Sequence, residues 1–229
     1  FSATRAEAAA ATAAALAEGM SAESIGEALS LAATRLVLFD PGRAPGNATP
    51  EKPAGCVHGD SIGVHASDAA SAWRSIAGVV SPRAAASSLI VAASHTAGFG
   101  GRFPARACDA DIDPAPLLAR SPERLLVEVD EAIRARDQGR AVALVAAIGA
   151  ASADARPLLD LLLRHSVRAD GALHAEKYYT TAATEFARSR APFRWLHLGA
   201  LARVVASESA ITAPESDAAR DLVGLDRWT

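Results

Sequence analysis

Alanine dominates this chain: it supplies 57 of the 229 residues, whereas aromatic residues make up only 5%. Alanine has the highest helix propensity of the amino acids and adds little side-chain volume. The sequence lacks the runs of alternating apolar and polar residues that a half-buried strand would need. The composition therefore predicts an all-α fold whose helices approach closely at small residues. We expect an antiparallel bundle or stacked helical hairpins, forming a single domain over residues 1–229.

Local signals divide the chain into helices. Ser21, Ser81 and Ser121 each stand where a side-chain oxygen would cap the first turn of a helix. Proline follows Ser81 and Ser121 at the first helical position, where it is favoured. Gly19 stands just beyond the first helix, where a left-handed residue often ends a helix. The predicted helices cover residues 1–18, 22–39, 65–80, 82–97, 122–138, 141–151, 155–168, 174–189 and 192–207.

One long connection, residues 98–116, separates two groups of predicted helices. Phe99 and Phe103 lie in it among several glycines. Loops of this length in compact domains often cover a functional site. Aromatic rings on such a loop are expected to be buried, because exposed apolar surface otherwise needs a functional explanation. We therefore expect the loop to pack over the histidine-bearing region, with Phe99 or Phe103 buried.

The six histidines fall into two triplets of similar layout, about 110 residues apart. In each triplet two histidines flank a segment that contains glycine and aspartate; a helical pattern, a proline and a third histidine follow. The triplets are His58, His65 and His95, and then His165, His174 and His197. The repetition predicts that residues 20–97 and 140–207 are related halves. Helical patterns starting at His65 and His174 would then occupy equivalent positions.

These histidines are the best candidates for a functional site, because imidazole is the commonest metal ligand and titrates near neutral pH. We expect His58, His65 and His174 to cluster near helix starts, with at least two of the imidazoles close enough to share a ligand or one bridging water. Asp60 joins them as a candidate catalytic residue, since the glycines around it permit close backbone approach to a ligand. Asp68 follows His65 by one helical turn, which places a carboxylate and an imidazole on one helix face.

His95 and His197 complete the set of candidate metal ligands. His95 lies at the end of a predicted helix, just before the loop 98–116. His197 lies on an apolar stripe with Leu201 and Val204. A buried imidazole there needs a hydrogen-bond partner, such as a backbone carbonyl, or a metal. His165 and His197 rank below the others, because both also fit buried or capping roles.

These residues predict a metal-dependent enzyme that acts on a small organic molecule. Imidazole and carboxylate ligands suit iron or zinc; open coordination at iron would favour an oxygenase and zinc a hydrolase. We favour an oxidoreductase, since an alanine-rich bundle offers an apolar pocket. One alternative is a metal-free enzyme or binding domain, with an apolar pocket lined by aromatic residues under the loop 98–116. The other alternative is a non-catalytic assembly subunit.

Composition also limits the partners and the location. The net charge is −3 and no basic stripe is present, which disfavours nucleic-acid binding. No apolar run approaches the length of a membrane span, so we expect no membrane. The arginine and alanine content is typical of a high-GC bacterial genome, and the two cysteines fit a reducing cytoplasm. Because the sequence starts at Phe1, we expect a piece of a longer polypeptide, whose missing N-terminal portion or a second copy is a possible partner.

Overall fold

The computed structural model describes residues 4–50, 52–57, 61–99, 106–151, 153–167, 174–207, 218 and 221–224. Regular structure in these residues is helical throughout, without a strand, which confirms the all-α prediction. None of the described helices is both long enough and apolar enough to cross a membrane. The α-helices are α1 Arg5–Ala17, α2 Ala22–Phe39, α3 Ile62–Ala77, α4 Pro82–Ala97, α5 Ala115–Leu118, α6 Pro122–Arg134, α7 Gln138–Ala150, α8 Arg156–Ser166, α9 His174–Arg188 and α10 Trp195–Ala206.

Side-chain capping explains where most of these helices begin. The hydroxyls of Ser21, Ser81 and Ser121 each accept a backbone N–H in the first turn of their helices, as predicted. Gly19 has φ +91°, which confirms the left-handed residue expected after α1. Proline at the first helical position follows Ser81 and Ser121, so these two starts are fixed by local chemistry.

The start of α3 differs from the prediction, because the helix begins three residues before His65. Ser61 is its N-cap, and the Ser61 hydroxyl accepts the N–H of Val64 at 3.1 Å. The same hydroxyl donates to Asp40 Oδ2 at 2.7 Å, and the N–H of Gly63 donates to that oxygen at 3.2 Å. Asp40, the C-cap of α2, thus anchors the first turn of α3.

The main core lies around α7 and α10, with α6, α8 and α9 packed onto them. In α10 every residue from His197 to Ala206 is buried. A smaller cluster joins α2 to α3, and its buried residues are Ala33, Leu36, Ala66 and Ala70. A Cβ at Gly63 would lie 2.7 Å from the backbone nitrogen of Val37, so α2 and α3 approach backbone to backbone there.

Helices α3 and α9 lie side by side and run in the same direction. Three contacts between them, taken in order along α3, are His65 with His174, Ser67 with Tyr178, and Arg74 with Glu185. The hydrogen-bonded pairs across this seam are 111 to 114 residues apart in the sequence. Since the separation stays nearly constant, the first turns of the two helices meet at one end of the bundle.

Candidate functional site

Two imidazoles meet where α3 and α9 begin. The ring centroids of His65 and His174 are 5.9 Å apart, and the rings are nearly perpendicular at 82°. His65 is exposed, whereas His174, the first residue of α9, is half-buried. The sequence pattern predicted that these two histidines come together, and in the structure their rings are in contact. The arrangement places two imidazoles side by side, one exposed and one half-buried, at the start of both helices.

An ion pair lies one turn further along the same seam. Lys177 Nζ lies 2.8 Å from Asp68 Oδ2, and the Thr181 hydroxyl donates to Asp68 Oδ1 at 2.8 Å. The side chain of Asp68 is only 14% exposed. Both carboxylate oxygens therefore contact α9, so Asp68 links the two helices beneath the histidine pair.

His95 lies in the last turn of α4, and its ring packs edge-on against Phe99 at 5.0 Å between centroids. Helix α4 follows α3 after a four-residue turn, and Phe99 packs against the cluster that contains Ala66 and Ala70. The end of α4 thus lies beside the start of α3. His95 Nδ1 is buried and has no hydrogen-bond partner among the described residues.

The loop 98–116 divides into parts with different surroundings. Phe99 is half-buried beside His95, whereas Phe103 lies outside the described residues. Further along, the N–H of Cys108 donates to the carbonyl of Leu38 at 3.0 Å, and Ile112 packs against the main core. Cys108 and Ile112 therefore attach this part of the loop to the end of α2 and to the core, while Phe99 lies next to a candidate histidine.

His197 is enclosed between two hydroxyls. Its Nδ1 lies 2.9 Å from Thr34 Oγ1, and its Nε2 lies 3.1 Å from Ser189 Oγ. The apolar stripe predicted that this imidazole is buried, and it is. We expected a backbone carbonyl or a metal as its partner, but its partners in the structure are two hydroxyls. Burial lowers the pKa of His197 to about 4. The imidazole is therefore neutral at pH 7.

A buried charged group near the other end of the α3–α9 seam was not anticipated from the sequence. Glu185 is fully buried; its Oε2 accepts from Arg74 Nη1 at 2.6 Å, and its Oε1 accepts from the Ser71 hydroxyl at 2.9 Å. Arg74, itself only 2% exposed, also contacts Glu23 at 2.5 Å. The local sequence contains no signal for this group, because Arg74 and Glu185 are 111 residues apart.

His165 occupies the buried position expected at the end of α8. Its Nε2 lies 2.7 Å from Asp130 Oδ1 on α6. Burial opposes ionisation of Asp130, but the hydrogen bonds from His165 and Arg134 outweigh it and lower the pKa of that carboxyl below its usual value. This pair joins α6 to α8 inside the bundle.

His58 and Asp60, which immediately precede α3, lie outside the described residues. Within the described part of the chain, no group of three or more histidine, cysteine, aspartate or glutamate side chains is arranged to hold a metal ion. No protein-family model matches this chain, and comparison with curated proteins and with solved structures finds no similar protein.

Proposed function

We propose that this protein is a histidine-dependent enzyme that acts on a small organic molecule where α3 and α9 begin. The observation that carries the proposal is the contact between the rings of His65 and His174, 5.9 Å apart on two parallel helices. Imidazole nitrogens can act as metal ligands and as acid–base groups, so two adjacent imidazoles, one of them exposed, suit a reactive site.

The surroundings of the pair support a precise geometry. The hydrogen bond and ion pair from α9 to Asp68 hold the N-terminal halves of α3 and α9 together. His65 is exposed, so a molecule from solvent can reach its ring. Residues held on rigid helices keep reactive groups in place more accurately than residues on loops do.

The proposal includes a metal ion, iron or zinc, bound by His65 and His174. Two imidazoles supply two ligands, and a catalytic site needs at least a third from the protein. His58 and Asp60 are our candidates for it, because they precede α3 directly in the sequence. With iron the site would perform redox chemistry on the substrate, and with zinc it would perform hydrolysis.

Metal binding of purified variants tests the proposal. The wild-type protein should bind Fe²⁺, Zn²⁺ or Co²⁺ stoichiometrically, as measured by elemental analysis and calorimetric titration. His65→Ala and His174→Ala should each weaken binding by about 100-fold or more, because each removes a direct ligand. Arg83→Ala, at an exposed position in the first turn of α4, is the control and should bind metal like the wild type.

Circular dichroism separates a lost ligand from a lost fold. Helix content should be unchanged in His65→Ala, because His65 is exposed and alanine favours helix. A wild-type protein that binds none of these ions would refute the metal-dependent form of the proposal. Equal metal affinity in wild type, His65→Ala and His174→Ala would show that the ion binds elsewhere.

A further inference from the structure

A groove of about 510 Å³ opens between α7 and α10, and its lining contains no histidine among the described residues. Its walls are small residues on both helices, among them Ala146, Gly149 and Gly199, together with the indole of Trp195. A Cβ on Gly149 would lie 2.5 Å from Trp195 Cγ, so the indole lies directly on the backbone of α7. The absence of a side chain at Gly149 lets the indole of Trp195 pack on α7 and form an aromatic wall of the groove.

The size and lining of this groove are those of a small-molecule site. Pockets for small ligands commonly measure about 300–1,000 Å³ and combine apolar walls with few polar groups. Ala146 is exposed at the groove, so solvent reaches the space without a structural rearrangement. The groove therefore has the volume for a ligand and a route for its entry.

A single charged residue, Asp109, lines the groove among the described residues. Arg203 lies near enough to attract Asp109 electrostatically. However, the guanidinium of Arg203 is buried and points elsewhere: it donates to the carbonyls of Val37 and Asp40 and to Gln138 Oε1. Arg203 does not line the groove, so Asp109 is the charged residue that a ligand would meet among the described lining residues.

We propose that the groove binds an organic ammonium compound, with its apolar chain along α7 and α10 and its cationic head at Asp109. A carboxylate attracts an ammonium group, and an indole face attracts a cation as well as apolar atoms. Asp109 would repel a ligand that carries a carboxylate, and a neutral ligand would form no ion pair with Asp109. The proposal is independent of the histidine site, because the two share no residue.

Calorimetric titration with three eight-carbon probes tests this assignment: octylammonium, octan-1-ol and octanoate. Octylammonium should bind about tenfold more tightly than octan-1-ol, and octanoate should bind most weakly. Asp109→Asn should weaken octylammonium binding about tenfold and leave octan-1-ol unchanged. Asp111→Asn is the matched control, because Asp111 lies two residues away and forms an exposed ion pair with Arg106.

A second variant tests the location. Ala146→Trp should fill the groove and weaken both octylammonium and octan-1-ol, while the exposed position lets the fold persist, as circular dichroism checks. If Ala146→Trp fails to fold, Ala146→Leu replaces it with the same expectation. No binding of octylammonium, equal affinity for octylammonium and octan-1-ol, or equal effects of Asp109→Asn and Asp111→Asn would each overturn the proposal.

Discussion

Replacing Glu185 by glutamine should destabilise the fold strongly, whereas the same replacement at Glu23 should not. Both carboxylates contact the guanidinium of Arg74. They differ in burial: the side chain of Glu185 is 0% exposed and that of Glu23 is 58% exposed. The two variants therefore remove the same charge from the same partner in two different environments.

The expected magnitudes follow from that difference. Breaking a buried ion pair by removing one member costs about 3–5 kcal/mol, since an uncompensated charge stays buried. For Glu185→Gln we expect the lower end, about 3 kcal/mol, because Glu23 still contacts Arg74 and the amide oxygen of glutamine can still accept a hydrogen bond. An exposed pair contributes about 0–1 kcal/mol, so Glu23→Gln should cost no more than that.

Urea unfolding followed by circular dichroism at pH 7 measures both variants. With a denaturant slope of about 3 kcal/mol per molar, Glu185→Gln should lower the unfolding midpoint by about 1 M. Glu23→Gln should lower it by less than about 0.3 M. Midpoints that shift equally would refute the reasoning, because burial would then not decide the cost of the lost charge.

Two further predictions concern a buried histidine and two glycines. The pKa of His197 is about 4 in the fold and its ordinary value is 6.5, so the unfolded chain binds the extra proton first. The free energy of unfolding should therefore fall by about 3 kcal/mol, through this group alone, as the pH drops from about 6.5 to 4. His197→Asn should remove this part of the pH dependence, as measured by urea unfolding at each pH. Gly63→Ala should cost about 1–3 kcal/mol, because its Cβ would meet the backbone of Val37 at 2.7 Å. Gly199→Ala should gain up to about 1 kcal/mol from helix propensity in the same assay, because its Cβ would meet only Val142 Cγ1 at 3.7 Å. Equal effects at the two glycines would contradict this account.

The helix starts show which parts of the fold are predictable from sequence. Serine followed by proline fixes the starts of α4 and α6, because the capping hydroxyl and the preset φ are local. The start of α10 was placed three residues too early, at Pro192. Ala191 precedes that proline and has no side-chain oxygen to cap a helix, and residues 191–194 form a turn instead.

The start of α3 was misplaced for a different reason. Ser61 lies in a glycine-containing stretch that was interpreted as a loop, and its capping role depends on Asp40, 21 residues earlier in the chain. The burial of Arg74 also could not be predicted from the local sequence, because the carboxylate that balances its charge is 111 residues away. Polar residues that find partners across the bundle look like surface residues in a single sequence.

The histidine pair, in contrast, follows from a pattern that the sequence contains. If the two halves of the chain are related and pack about an axis parallel to their helices, equivalent positions meet along the seam between α3 and α9. His65 and His174 are 109 residues apart, and so are Asp68 and Lys177. The first of these pairs holds two identical residues, whereas the second holds an aspartate and a lysine, which form an ion pair in the structure. Equivalent positions that face each other can keep identical residues where both serve one site, but opposite charges are favoured where identical charges would repel. The duplication stays a prediction. It would explain why two histidines face each other at this seam, whereas one turn further along an aspartate faces a lysine.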